Sequence, residues 1–379
     1  MREQGEQAIL VHSPIAIAMM IGWMLLLVGC EMPPMESTQQ GYRGTAMAEI
    51  DNPEALARVA AVNQPPEALP VTPPAPGPRA GDVYENVQVL GDVSVGEFVG
   101  LMAAMTQWVS PEEGCTYCHG ANFADDDKYT KVVSRRMLEM TRHINASWNE
   151  HVGDVGVTCY TCHRGKHVPE YIWFKGNDIP DTRGLAASRH GQNLASPSVG
   201  SSSLPYEPFS QLIQSPDGEV NVASSVALPG GETANMAATE VTYALMMHFS
   251  GSLGVNCTYC HNSRAFSVWD QSTPARETAW YGVRMARNLN NDYLIPLQST
   301  YPPNRLGKLG DAPKANCSTC HQGVAKPLYG AKMASNYPSL TAQLYDHEAQ
   351  SKELIAFHQS LRSARADANA VVNSTAADQ

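Results

Sequence analysis

Apolar residues recur every three or four positions in four segments of the chain, the interval that aligns them along one side of an α-helix. This spacing predicts helices over residues 94–108, 128–148, 239–248 and 274–291. Residues 87–90 predict a short strand, and a further helix is predicted around 352–365. The chain is therefore expected to be mainly α-helical.

The residues at the ends of two of these segments support the boundaries. Ser94 and Glu97 have the spacing of a capping box, and Ser110-Pro111 ends the same helix. Thr273-Pro274 supplies an N-cap followed by proline at the first helical position. Both helices therefore begin at defined positions.

The nine cysteines indicate the chemistry of the chain. Eight of them form four CxxCH motifs, where the composition would give about 0.007 matches by chance. In this motif the cysteines bond to the vinyl groups of a haem and the histidine binds its iron. The residues involved are Cys115, Cys118 and His119; Cys159, Cys162 and His163; Cys257, Cys260 and His261; and Cys317, Cys320 and His321.

Paired CxxC zinc sites are the alternative interpretation of these cysteines. A zinc site does not require histidine directly after the second cysteine, yet all four motifs have it. We therefore expect four covalently attached c-type haems, and no cysteine remains for a disulfide except Cys30, which has no partner.

The order helix, CxxCH, helix, CxxCH occurs twice, and Cys-Thr-Tyr-Cys-His is repeated without change. Arg136-Met137 and Arg284-Met285 take similar places in the two halves. This pattern predicts an internal duplication of a dihaem unit, in a mainly α multihaem cytochrome c. The predicted segments are a signal peptide at 1–29, an extended arm at 30–80, dihaem units at 81–170 and 236–336, a connector at 171–235 and a tail at 337–379.

The second axial ligand of each iron decides the function. A haem with two protein ligands carries electrons, whereas an open iron can bind small molecules. Methionines on the predicted helices are candidates, although methionine on an apolar helix face is often core packing. Spacing does not choose within the pairs Met102 and Met105, Met137 and Met140, or Met246 and Met247, and Met285 is a further candidate.

Histidines outside the motifs offer other ligands. His151 lies beyond the second helix, twelve residues before His163, and could serve a haem of its own half or of the other half. His248 lies beside better methionine candidates. The simplest interpretation of the others is a surface or core role, namely for His143, His167, His190, His347 and His358.

The N-terminus predicts export. Residues 15–28 are apolar but short for a membrane span, and Leu27-Val28-Gly29-Cys30 resembles a bacterial lipobox in which Cys30 is lipidated. An uncleaved anchor helix is the alternative, because Glu3 and Glu6 offset Arg2. The net charge of −11 argues against nucleic acid as a partner.

Long strings of the chain resemble the tetrahaem cytochrome c subunit of bacterial photosynthetic reaction centres. The matching strings are Gly41–Gly44, Trp108–His119, Arg135–Arg142, Gly156–Gly165, Ser252–Cys257, Ser272–Pro274, Cys317–Gly323 and Lys326–Leu328. The resemblance implies two pseudo-twofold-related dihaem units on the periplasmic face of the membrane. It also implies that electrons come from a small cytochrome c or a high-potential iron–sulfur protein and pass to the photo-oxidised special pair.

The resemblance further implies the ligand pairs, matched position by position. They are Met102 with His119, Met137 with His163, Met246 with His261, and His151 with His321 from the opposite halves. The third haem is expected nearest the special pair and the first farthest from it. Arg276 matches an arginine that lies near haems and tunes their potential in similar proteins.

Two other functions remain open at this stage. One is a periplasmic multihaem reductase that acts at a haem with an open site. The other is a membrane-anchored cytochrome of a respiratory or metal-reducing chain. The credible second ligand for every haem favours electron transfer over a reductase, and we expect the chain to be an electron carrier rather than an enzyme.

Overall fold

The computed structural model describes residues 35–40, 47–67, 77–176, 196–205, 207–218 and 236–341. In these ranges the fold is mainly helical, as predicted, with one two-stranded antiparallel sheet. The strands and α-helices, in chain order, are β1 Glu36–Gln40, β2 Met47–Asp51, α1 Pro53–Val62, α2 Ala80–Val83, α3 Val95–Val109, α4 Tyr129–Ser147, α5 Asn149–Val152, α6 Cys159–His163, α7 Met236–Leu253, α8 Pro274–Asn288 and α9 Cys317–His321.

The helices predicted from periodicity are confirmed, with small changes at their ends. Ser94 accepts a hydrogen bond from the amide of Glu97, and the Glu97 carboxylate accepts one from the amide of Ser94, which is the predicted capping box. Thr273 precedes Pro274 at the start of α8 as expected. The α-helical part ends at Asn288, and a π-helix follows directly over Leu289–Leu294.

The predicted strand at 87–90 is wrong. A strand needs a partner to satisfy its backbone groups. Here the Val89 carbonyl accepts a hydrogen bond from the guanidinium of Arg142, 2.7 Å away. Leu90 is buried in the hydrophobic core beneath it, so side-chain contacts replace strand pairing.

The predicted extended arm at 30–80 is also corrected where the structure describes it. β1 and β2 form a hairpin in which Glu36 pairs with Asp51. Asn52 then caps α1 by accepting from the Glu54 amide, with Pro53 at the first position. The prolines at 65 and 66 follow the end of this helix, so they do not prevent it.

Three clusters of buried apolar side chains hold the described fold together. The first centres on Trp108 and Leu101, and it includes Leu340 from the predicted tail. The second combines residues of the predicted connector with Leu245 from α7 and Ala286 from α8. The connector residues are Trp173, Phe209, Leu212 and Ile213. The predicted connector and tail therefore contribute to the core, through residues that periodicity alone could not assign.

The repeated order of elements gives repeated packing. Helix α3 packs on α6 in the first half, and α7 packs on α9 in the second. Helix α6 also touches α9, and the short α5 packs on α8, so both contacts join the two halves. Within the described ranges, no helix is both long and apolar enough to cross a membrane; the apolar segment at 15–28, Cys30 and the helix predicted at 352–365 lie outside them.

Candidate haem sites

The four CxxCH motifs adopt two local structures. The second and fourth form the short helices α6 and α9, each ended by a residue in the left-handed region, Arg164 (φ 51°) and Gln322 (φ 48°). The first and third begin as 3₁₀ turns at Gly114–Tyr117 and Cys257–Tyr259. The motifs at equivalent positions in the predicted repeat thus share one conformation.

Each helical motif is tied in the same way to the first long helix of its half, α3 or α7. The amide of Gly165 donates to the carbonyl of Trp108 at 2.8 Å, and the amide of Gly323 donates to that of Ser252 at 2.8 Å. A threonine inside each motif, Thr161 or Thr319, accepts from the amide three residues earlier. These bonds hold the motif histidines at a fixed distance from α3 and α7.

Every motif histidine has the orientation that an iron ligand requires. Its Nδ1–H group donates to a backbone carbonyl, which fixes the ring and directs Nε2 away as the free donor atom. The acceptors and distances are Phe123 at 3.3 Å for His119, Lys166 at 2.9 Å for His163, Phe266 at 3.0 Å for His261 and Val324 at 3.0 Å for His321.

His151 follows the same rule although it belongs to no motif. Its Nδ1–H group donates to the carbonyl of Thr278 in α8 at 2.9 Å. Its ring centre lies 6.0 Å from that of His321, with the ring planes at 67°. Two imidazoles that bind one metal from opposite sides, with metal–nitrogen bonds of about 2.0 Å, have ring centres about 6 Å apart. The pair therefore fits an iron between His151 and His321.

The remaining described histidines use Nε2 for hydrogen bonds within the protein. In His248, Nδ1–H donates to the Ser198 carbonyl and Nε2 accepts from the Ser252 hydroxyl at 3.2 Å. His143 contacts Asn288 through Nε2, and His167 contacts the Glu113 carboxylate through Nε2 at 2.7 Å. These three residues thus lack the ligand geometry, while His190, His347 and His358 lie outside the described residues.

Burial keeps the candidate ligands neutral, which is the form of imidazole that binds a metal. Burial, together with the neighbouring His151, lowers the pKa of His321 to about 4. Burial also lowers the pKa values of His151 and His163, although backbone carbonyls that accept from Nδ1 act in the opposite direction.

All four motifs face one continuous cavity of about 2650 Å³. A site for one drug-sized molecule usually occupies roughly 300–1000 Å³, so this volume suits several large ligands. The lining includes at least one cysteine and the histidine of each motif, together with His151. It is largely apolar, as a tetrapyrrole requires.

The cavity does not by itself choose among the methionines, because its lining contains Met102, Met105, Met137, Met140, Met246, Met247 and Met285. Their packing differs, however. Met140 and Met285 contact the third apolar cluster, with Ile144, Leu289 and Tyr293 at its centre, whereas Met137 belongs to none of the three clusters described. Met102 and Met105 both contact the first cluster and Met246 the second.

The first cysteines of the second and fourth motifs have the environment of buried neutral sulfur. Burial raises the pKa values of Cys159 and Cys317 to about 12. The Sγ atoms of Cys162 and Cys320 lie 2.8 Å apart, so the second and fourth motifs approach each other across the two halves. Among the described residues, no group of three or more His, Cys, Asp or Glu side chains could hold a metal ion.

Arg276 lies beside the third motif. Its guanidinium donates to the Ser272 hydroxyl at 2.6 Å and to the Val268 carbonyl at 3.2 Å, and it lies 4.4 Å from the ring centre of Trp269. Thr273, three residues earlier, donates its amide to the Cys260 carbonyl. The positive charge is therefore held close to the third haem site.

Sequence reasoning missed two residues behind the motifs. Asn63, at the end of α1, donates to the Gln322 carbonyl and accepts from Arg164, so it bridges the turns that follow the second and fourth motifs. Gly282 in α8 lies directly against the His151 ring. A glycine inside a helical pattern is the one sequence signal that could have marked Gly282.

Comparisons with known proteins agree on one family. The family model described as "Photosynthetic reaction centre cytochrome C subunit" matches residues 31–341. The chain is 54% identical over 316 residues to the photosynthetic reaction center cytochrome c subunit of Rubrivivax gelatinosus, covering 83% of this chain and 86% of that protein. It is 48% identical over 326 residues to the subunit of Thermochromatium tepidum, covering 86% and 80%. Cytochrome c-554 of Chloroflexus aurantiacus is 27% identical over 306 residues, covering 67% and 72%.

Proposed function

This chain belongs to the family of photosynthetic reaction centre cytochrome c subunits, and on that premise we propose which residues bind its haems and where its electrons come from. It transfers electrons to the photosynthetic reaction centre and carries four covalently attached c-type haems. When bound, the haems supply the iron that alternates between two oxidation states.

The proposed axial pairs are Met102 with His119, Met137 with His163, Met246 with His261, and His151 with His321. The observation that carries this assignment is the common orientation of the histidines. Six described histidines donate Nδ1–H to a backbone carbonyl, and five of them, all except His248, line one cavity. Four irons with two ligands each need eight ligands. The five histidines supply five of them, and the three methionines would supply the other three.

This arrangement supports an electron carrier rather than an enzyme. With two protein ligands for every iron, no position would remain for a substrate. Methionine sulfur favours reduced iron, whereas a second histidine favours oxidised iron. The His151–His321 site is therefore expected to have a lower potential than the three methionine sites.

The immediate partners are the membrane subunits of the reaction centre. We propose that the chain lies on the periplasmic face of the photosynthetic membrane, held by a lipid on Cys30 or by the apolar segment at 15–28. A soluble periplasmic carrier, either a small cytochrome c or a high-potential iron–sulfur protein, supplies the electrons. The special pair receives them.

Flash spectroscopy of membranes that contain this chain tests the function. After a single flash, the special-pair cation is expected to disappear while the haem absorbance shows oxidation in equal amount. Re-reduction of the special pair without any haem oxidation would refute the proposal. Carbon monoxide is expected not to bind to the reduced protein; binding at one haem would instead favour the multihaem reductase.

A further inference from the structure

We propose that Gly282 is a positioning residue for the axial ligand His151, because the absence of a side chain at 282 lets the imidazole lie against the backbone of α8. This inference rests on the proposed role of His151 as a ligand of the fourth haem. It means that α8, in the second half of the chain, fixes the position of His151, which comes from the first half.

The contact between the two residues leaves no room for a side chain. An ideal Cβ atom on Gly282 would lie 2.5 Å from Cε1, 2.8 Å from Nδ1 and 3.2 Å from Nε2 of His151. Real Cβ atoms essentially never approach another heavy atom within 3.0 Å. All three close atoms belong to the imidazole ring, so even the smallest side chain would displace the ligand itself.

The hydrogen bond of His151 explains why the ring lies so close. Its Nδ1–H group donates to the Thr278 carbonyl at 2.9 Å. In a regular α-helix the amide of residue 282 also donates to the carbonyl of residue 278. The imidazole thus lies across the helical turn that joins these two residues, and a side chain at 282 would separate Nδ1 from its acceptor.

The backbone of Gly282 does not itself require glycine. The residue lies inside α8, and its φ is not among the positive values found in the chain. Glycine is a much poorer helix former than alanine at such a position. The contact with His151 is therefore the structural feature that accounts for glycine here.

The expected displacement is large on the scale of a metal–ligand bond. Ordinary van der Waals contact begins at 3.4 Å, so the ring would have to retreat by about 0.9 Å from a Cβ at 2.5 Å. Plausible metal–nitrogen distances vary by only about 0.2 Å. A methyl group at 282 should therefore break or greatly weaken the bond between His151 and the iron, while the motif histidine His321 keeps its own.

The test compares the Gly282→Ala protein, with its haems attached, to the unchanged protein. Electron paramagnetic resonance of the oxidised protein is expected to show one of the four haems changed from low to high spin. That haem should also titrate at a higher potential and bind carbon monoxide when reduced. Gly100→Ala in α3 is the matched control, since a Cβ there meets nothing within 4 Å, and all four haems should stay unchanged.

A second pair of variants separates positioning from general damage. His151→Ala removes the ring, so adding Gly282→Ala to that protein should produce no further change at any haem. If Gly282→Ala alone fails to accumulate, the double variant is expected to accumulate, because the methyl group then fills the space of the missing ring. Failure of the double variant as well would overturn the inference.

The outcomes also distinguish this inference from the proposed ligand assignment. If His151→Ala left all four haems unchanged, His151 would not be a ligand and both ideas would be wrong. If His151→Ala altered one haem but Gly282→Ala altered none, the ligand assignment would stand and the role of Gly282 would be refuted.

Discussion

Replacement of Asn63 by alanine should destabilise the chain more than any surface change on the same helix. Asn63 is 0% exposed at the end of α1. Its Nδ2 donates to the Gln322 carbonyl at 3.0 Å, and its Oδ1 accepts from Nη2 of Arg164 at 3.2 Å. A third bond, to the Val59 carbonyl, stays within the helix.

The magnitude follows from the two bonds that cross to the motif turns. The neutral bond to Gln322 contributes about 1 kcal/mol and the bond from the charged Arg164 about 2 kcal/mol. Nε and Nη1 of Arg164 are already buried without a partner, so the guanidinium has little capacity to compensate. We therefore expect Asn63→Ala to lower the free energy of unfolding by about 3 kcal/mol.

Urea unfolding followed by circular dichroism, with the haems attached, measures this change. Gln64→Ala is the control, because the exposed Gln64 side chain makes only a local bond to the Ala60 carbonyl. Its effect should stay within about 0.5 kcal/mol. Equal unfolding midpoints for the two variants would show that Asn63 does not hold the two turns together.

Three further predictions concern the haem sites and the loop near the first motif. His151→Met should raise the potential of one haem in a redox titration and leave the other three nearly unchanged; four unchanged potentials would refute the cross-half pair. Met137→Leu should open one iron to carbon monoxide, whereas Met140→Leu should not, because Met137 is the proposed ligand and Met140 packs against the third apolar cluster. Hydrogen bonds from Arg135 hold the pKa of the Asp126 carboxyl below its ordinary value, so their contribution to stability is present above about pH 4 and is lost as the pH falls further. Asp126→Asn should therefore make the free energy of unfolding less sensitive to acidification below pH 4, and an unchanged pH profile would contradict this.

Local sequence signals were sufficient where local interactions decide the structure. The capping box at Ser94 and the apolar spacing of α4 place these helices correctly because caps and helix faces depend on residues three or four positions apart. The strand expected at 87–90 failed because its backbone acceptor is taken by Arg142, more than 50 residues away. No short-range pattern contains that information.

The candidate sites show the same division. The CxxCH spacing predicts the motif histidines directly, and their Nδ1 bonds to nearby carbonyls are local. The choice between Met137 and Met140 could not come from periodicity, since residues three apart lie on the same helix face. The approach of His151 to His321 joins positions 170 residues apart in the chain, so only the family resemblance suggested it and the structure supplied its distance.

The duplicated halves differ most informatively at one position of α8. By repetition, Met285 would correspond to Met137, the proposed ligand of the second iron, because each follows an arginine on the corresponding helix. Met285 is instead 9% exposed and packs with Ile144 and Tyr293. Three residues earlier in the same helix, Gly282 has no side chain, and the His151 ring from the other half packs against it. A histidine in place of a methionine lowers the potential of that site, so the loss of symmetry is the feature that would make one haem differ from the other three. With the proposed ligand pairs, the stretch from Met137 to His163 would carry ligands for both halves, and separation of the halves would remove His151 from the fourth site.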